Sequence, residues 1–235
     1  MKNKIEKRGL SYARNLGIKN ALADKLLFLD ADALPSDTWA AHMAAALEET
    51  VNTPKPTYVA AVSGNIAPLF LPKSGIPSAT VRKSNNTGPA WCKSKLVLEM
   101  YSALQFPVKR MLLGRMIGAS CGVNLKRVGR ELEFDKSLGR NNNLRGGEET
   151  KYASTIEDAG FAVIYCGEAK VRHCIPYERQ NLKWLFKRTY SQGLDREKKK
   201  GMPKPFNDKM SFHDYLWLPF LGIAFSSGWL SSKFS

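Results

Sequence analysis

The sequence predicts an α/β fold. Helix-like segments alternate with short apolar runs, and one run, Leu26-Leu27-Phe28-Leu29, ends on Asp30-Ala31-Asp32. Four consecutive apolar residues read as a buried strand. Ligands bind where the strands of an open α/β sheet end. Side chains two apart on an extended chain point the same way, so Asp30 and Asp32 bring two negative charges together. A divalent cation with oxygen ligands is the simplest relief for that repulsion. A solvated loop with two incidental carboxylates is the alternative.

Composition narrows the class. The chain has 235 residues, 43% of them hydrophobic, and a formal charge of +15. That length and apolar content suit one domain with a real core, or one domain plus an appendage. The charge favours an anionic partner: a nucleotide diphosphate, an acidic membrane surface or nucleic acid. No nucleic-acid-binding motif stands out, so no specific nucleic-acid partner is expected. Cys92, Cys121, Cys166 and Cys174 lack the C-x-x-C spacing of a zinc or redox site. They read as buried, reduced thiols of a cytosolic protein. The N-terminal residues are charged and lack the apolar core of a signal peptide.

The elements follow in order. The first twenty residues read as a helix, with Ile5, Ala13, Leu16 and Ala21 on one face. The 26–29 strand comes next. Asp37 is placed to cap a helix running to about Glu49. Tyr58 to Ser63 reads as a second strand. Residues 64–90 are rich in Pro, Gly, Ser and Asn and read as a long functional loop. A helix is expected over 93–104. The small residues from Gly118 to Leu125 lead into a short helix. Arg140 to Gly147 reads as a loop, and Glu148 begins a helix to about Asp158. Two short strands are expected near 162–166 and 169–173. A helix from about Asn181 then runs into the basic segment Arg196 to Lys200.

The tail differs from the rest. Tyr215 to Leu230 is uncharged over 16 residues, short of the roughly 20 that a membrane span needs. Asn181 to Met210, just before it, carries nine Lys or Arg against three Asp or Glu. A basic stretch beside aromatic residues suits peripheral binding to an anionic membrane. Trp217, Phe220, Phe225 and Trp229 are then the expected interfacial side chains. A helix packed on the core is the alternative. The boundary between main domain (1–195) and tail (196–235) is set here.

Single residues add chemistry. Arg14, on the helix before the Asp strand, has a fork suited to a phosphate. Gly146-Gly147-Glu148-Glu149 opens a helix, where glycines let a ligand approach and carboxylates suit the helix dipole. His173 ends a strand and gains meaning only if it faces Asp32.

Order and spacing of these features resemble a known family. ARNLGIKNALADKLLFLDADALP is similar to the segment around the DXD motif of family 2 glycosyltransferases. CGVNLKR followed by LEFDKSLG resembles that family's block before the acceptor site. GGEET resembles its "GGED" helix start, AKVRHCIP its "V-x-H" strand, and NLKWLFKRTYSQG its "W-x-x-R" helix. The resemblance covers about residues 8–195. It implies a GT-A (Rossmann-like) mixed sheet flanked by helices, followed by the apolar helical tail.

It also implies roles. Asp30 and Asp32 would engage a nucleotide-sugar donor through a divalent metal, Mn or Mg, with Asp32 and His173 as ligands. Arg14 would sit near the donor's ribose or diphosphate. Glu149 would be the general base for an acceptor hydroxyl, and transfer would invert the sugar carbon. Glu148, Gly147 and Trp184 would serve the acceptor, a saccharide, free or lipid-linked. The expected location is cytoplasmic, peripheral on the inner face of the cell membrane. Family members begin with a strand like "VSVVIPTYN", absent before Met1-Lys2-Asn3, so the expectation is an N-terminally truncated domain. A catalytically incomplete remnant that binds membranes through its basic surface is one alternative. A HAD-type phosphatase is another, although Leu34 stands where that family places Thr or Ser.

Overall fold

The computed structural model describes residues 9–74, 88–138, 146–194 and 211–233. Among them the strands are β1 (Lys25–Leu29), β2 (Ala33–Pro35), β3 (Thr50–Asn52), β4 (Pro56–Phe70), β5 (Arg110–Leu112), β6 (Ser120–Asn124) and β7 (Ala162–Ile175). The α-helices are α1 (Leu10–Asn20), α2 (Trp39–Ala46), α3 (Lys95–Met100), α4 (Leu125–Val128), α5 (Glu148–Asp158), α6 (Leu182–Leu194) and α7 (Phe212–Lys233). The strands form one sheet in the order β1-β6-β4-β7-β2, with β3 on β4 and β5 on β7. β6 pairs antiparallel with both β1 and β4, so the strand that ends at Asp30 is fixed along its whole length.

The chain forms two compact units. The first comprises residues 1–65 and 105–171, and the second 66–104 and 172–235. In the first, strand alternation sends side chains to two cores. Cys121 and Val123 of β6 and Val163 of β7 meet Ile18 of α1, Phe134, and Tyr152 and Ile156 of α5. Val59 and Val62 of β4 and Ile164 of β7 meet Trp39, Met43 and Ala46 of α2. The first core places α1 and α5 on one side, which positions the site described below. In the second unit Phe70, Val97, Tyr101, Ile175, Leu185 and Leu221 form a separate core. Asp214, near the start of α7, accepts from Ser94 Oγ at 2.8 Å and from Ser211 N at 2.8 Å. One carboxylate thereby ties the starts of α3 and α7. Burial opposes its charge, but the bonds from Ser211, Ser94 and Leu96 hold its pKa down at about 2.

Several elements differ from the sequence reading. The α1 face buried in the structure is Ser11, Arg14, Asn15 and Ile18, not the apolar set, whose Ile5 lies outside the described residues. Its polar side chains bond to partners distant in sequence. Thr38, not Asp37, precedes the first turn of α2, without a side-chain cap. β4 extends to Phe70 and absorbs the head of the expected loop; Ile66 and Leu104 exchange main-chain bonds of 2.8 and 2.9 Å there. Gly64 and Pro68 had concealed that strand. The two strands expected over 162–173 are one, because Gly167 N bonds to Lys109 O at 2.9 Å across the supposed break. The helix of 93–104 stops at Met100, and Ser102 follows with φ of 62°. The loop residues 139–145 and the basic segment 196–200 lie outside the described residues. All four cysteines are buried and none is in a disulfide.

The tail is helix α7, and no helix among the described residues is long and apolar enough to cross a membrane. Trp217 faces inward onto the second core. Phe212, Tyr215, Leu216, Leu218, Phe220, Ile223 and Leu230 are exposed. At 100° per residue Phe212, Leu216, Phe220, Ile223 and Leu230 share one face of the helix, opposite buried Asp214, Leu221 and Gly228, while Leu218 lies off that face.

Candidate active site

The site in the first unit is built around one buried cation. Arg14 projects from α1 and is 4% exposed. Its Nη1 donates to Glu148 Oε1 at 3.0 Å and lies 2.9 Å from Glu149 Oε1. Its Nη2 lies 3.8 Å from Asp30 Oδ1. The guanidinium also stands over the Phe134 ring, 5.3 Å from its centroid. Arg14, expected beside the donor, faces three carboxylates in the structure. A planar fork serves such a site because it can serve several acceptors at once.

Local sequence explains each position. Asp30 follows β1, and Ala33 N closes a turn on Asp30 O at 3.0 Å, which leaves Asp32 exposed at the turn. Gly147 has φ of 105°, a conformation costly for other residues, and turns the chain into α5. Glu148 and Glu149 then occupy the first turn, where the helix dipole favours negative charge. Gly118 is the residue that leaves room for the cluster. A Cβ there would come within 2.0 Å of Arg14 Nη2 and 2.3 Å of Glu149 Oε1.

The two glutamates are not equivalent. Glu148 has a side chain 2% exposed, against 16% for Glu149. Glu149 is therefore the more solvent-accessible of the two. Burial, and then the charge of Glu149, push Glu148 up to about 7, against the opposing pull of Arg14. Burial opposes the Arg14 charge, but Glu149, Glu148 and Asp30 outweigh it and raise its pKa. Among the described residues, Arg14 Nη2 and Glu148 Oε2 are buried without a hydrogen-bond partner. Buried polar atoms ordinarily have one, so two orphans in one cluster mark a place for a ligand or water.

The remaining expected residues lie in the second unit. His173, on β7, is 6% exposed, and its Nδ1 is 3.0 Å from Tyr101 O. A carbonyl only accepts, so Nδ1 carries a proton in this contact. Trp184 of α6 stacks on the Tyr101 ring at 4.8 Å and 11°. Tyr101 thus supports both residues. It was missed, as were Gly118, Phe134 and Asn15. A usable signal did exist for Asn15: Ser11, Arg14 and Asn15 fall at helical spacing beside Ile18, polar residues on a core face.

Residues 2–73 match the model of glycosyl transferase family 2. Over that segment the chain is similar to the family 2 glycosyltransferases. The succinoglycan biosynthesis protein ExoM of Rhizobium meliloti (strain 1021) is 29% identical over 206 residues, 84% of this chain and 57% of that protein. The mannosyltransferase PcManGT from Pyrobaculum calidifontis, solved in complex with GDP-Man and Mn2+, is similar in structure with a TM-score of 0.51. It is 17% identical, over 99% of this chain and 56% of that one, a likeness that shows the shared GT-A fold. This chain spans a little over half the length of both. These likenesses favour the glycosyltransferase reading over the phosphatase alternative.

Glu148 makes a testable claim about stability. Folding raises its pKa from 4.5 to about 7, so the folded state holds its proton more tightly. The associated stability is full below the unfolded pKa and is lost as pH rises through about 7. A Glu148→Gln variant lacks this slope. In thermal melts from pH 5 to 8 with EDTA, wild-type melting temperature should fall relative to the variant's. Parallel curves would show that Glu148 ionises normally.

Proposed function

We propose that this chain transfers a sugar from a nucleotide-sugar donor to an acceptor hydroxyl, with inversion and with a divalent metal. The observation that carries the reading is the Arg14 cluster, where a partly exposed carboxylate, Glu149, shares one guanidinium with Asp30 of the strand-end pair. In this reading Glu149 takes the acceptor's proton as the acceptor oxygen bonds to the sugar carbon. The bond from that carbon to the diphosphate breaks, and its electrons leave with the diphosphate. Glu148 and Gly147 act from behind, holding Glu149 at the acceptor, and Trp184 serves as an acceptor platform.

In this reading Asp30, Asp32 and His173 supply the donor atoms for the metal ion. Two carboxylate oxygens and one imidazole nitrogen fit Mn or Mg better than Zn. An Nδ1 proton held by a carbonyl suits a ligating Nε2. When bound, such an ion offsets charge on the departing diphosphate. Arg14 contributes on the donor side through Asp30. The acceptor in this reading is a saccharide, free or lipid-linked.

The test is turnover of a panel of nucleotide sugars with Mn2+, read as sugar transfer, in wild type and Glu149→Gln. Gln keeps the shape but cannot take the proton. Transfer should fall by about 10²–10⁴-fold while donor binding persists. Near-normal turnover in the variant would remove Glu149 as base. No transfer by the wild type with any donor would favour the incomplete-remnant alternative.

The same reading places the protein at the cytoplasmic face of the cell membrane, with the exposed face of α7 toward anionic lipid. The support is the exposed apolar row on α7 together with the net charge of +15. Wild type should sediment with phosphatidylserine-containing vesicles at low salt. Phe220→Ser with Ile223→Ser should weaken this at least about tenfold, since each buried apolar side chain contributes about 1.5–3 kcal/mol. Equal sedimentation of the two proteins, or none by wild type, would overturn the membrane placement.

A further inference from the structure

Asn15 sits one residue from Arg14 and is 7% exposed. Its Nδ2 donates to Phe134 O at 2.8 Å, and its Oδ1 accepts from Phe134 N at 2.7 Å. One side-chain amide therefore satisfies both main-chain groups of a residue 119 positions away. Ser11, one turn earlier, donates to Leu138 O at 3.0 Å. Segment 134–138 is thus held to α1 at both ends. Its Asp135 also pairs with Lys151 of α5, and Lys151 and Ser137 hold the Asp135 carboxyl low, at about 2.

The ring of Phe134 shows what this clamp is for. It stacks on Tyr152 of α5 at 4.1 Å and 10°, and meets Phe28 of β1 edge-on at 5.7 Å. It therefore fills the space between the strand that leads to Asp30 and the helix that carries Glu148 and Glu149. Its face also supports the Arg14 guanidinium. The buried main-chain N–H and C=O of Phe134 lie outside any helix or strand, and Asn15 supplies the partners they need. A cation that must reach three carboxylates at fixed distances needs its floor fixed.

We propose that Asn15 is a positioning residue for sugar transfer: by gripping Phe134 it sets where Arg14 holds Glu149 relative to Asp30. This rests on Glu149 acting as the base. Asn15 touches no substrate and acts through Phe134 and Arg14. A misplacement near 1 Å can cost about 100-fold in rate.

The experiment compares Asn15→Ala, Glu149→Gln and the double variant, each checked for folding by circular dichroism. Asn15→Ala should lower kcat by about 10–100-fold with donor KM changed less than about threefold. In the Glu149→Gln background the same change should have almost no further effect. Independent and additive losses, or an Asn15→Ala variant with wild-type kcat, would overturn the proposal. A second readout does not depend on transfer. In side-chain nitrogen NMR the Arg14 guanidinium should give slowly exchanging signals in wild type and lose them in Asn15→Ala. Unchanged signals in Asn15→Ala would overturn the clamp even if the wild type transfers no sugar. Loss of the signals without wild-type transfer would uphold the clamp and reject the transfer reading.

Discussion

A guanidinium buried to 4% exposure must be matched by negative charge, and that requirement organises the first unit. An uncompensated buried charge costs several kcal/mol, whereas a well-bonded one is tolerated. Arg14 meets the requirement with three carboxylates from two places in the chain, Asp30 after β1 and Glu148 and Glu149 at the start of α5. The three would repel one another without it. The same cation therefore stabilises the approach of α5 to the β1 end and holds the chemically useful groups together. Gly118 and Phe134 are consequences of this demand, one leaving space beside the guanidinium and the other giving it a face.

The cluster divides labour by exposure. Glu148 is sealed and keeps a raised pKa, so near neutral pH it relieves part of the negative excess by holding a proton. Glu149 keeps contact with solvent and with Arg14. A base must be reachable and ionised, and this arrangement suits the exposed member. In the second unit Tyr101 plays a comparable supporting part. Its carbonyl orients the His173 ring and its own ring supports Trp184.

Local rules made much of this legible. The apolar run into Asp30-Ala31-Asp32 gave β1 and its charged end, and Gly147 with two acidic residues gave the α5 start to the residue. The α1 face was misjudged because periodicity assumes that apolar residues turn inward. Here Ser11, Arg14 and Asn15 turn inward, each with a partner more than 100 residues away, and no local pattern encodes such a partner. Strand lengths were misjudged where Gly64, Pro68 and Gly167 looked like breaks but the sheet supplied main-chain partners. Exposure on α7 depended on which helix face the second core covers, so Trp217 could not be separated from Phe220 by composition.

Arg14 is an internal counter-ion for Glu149 and Asp30, and we propose that this, rather than contact with the donor, is its part in transfer. Kinetics of Arg14→Lys with the donor titrated test it most directly. Lysine keeps the charge but is a single point donor that cannot span three carboxylates. The account predicts a kcat at least about tenfold lower with donor affinity nearly unchanged. A large loss of donor affinity with kcat intact would contradict it and return Arg14 to the diphosphate.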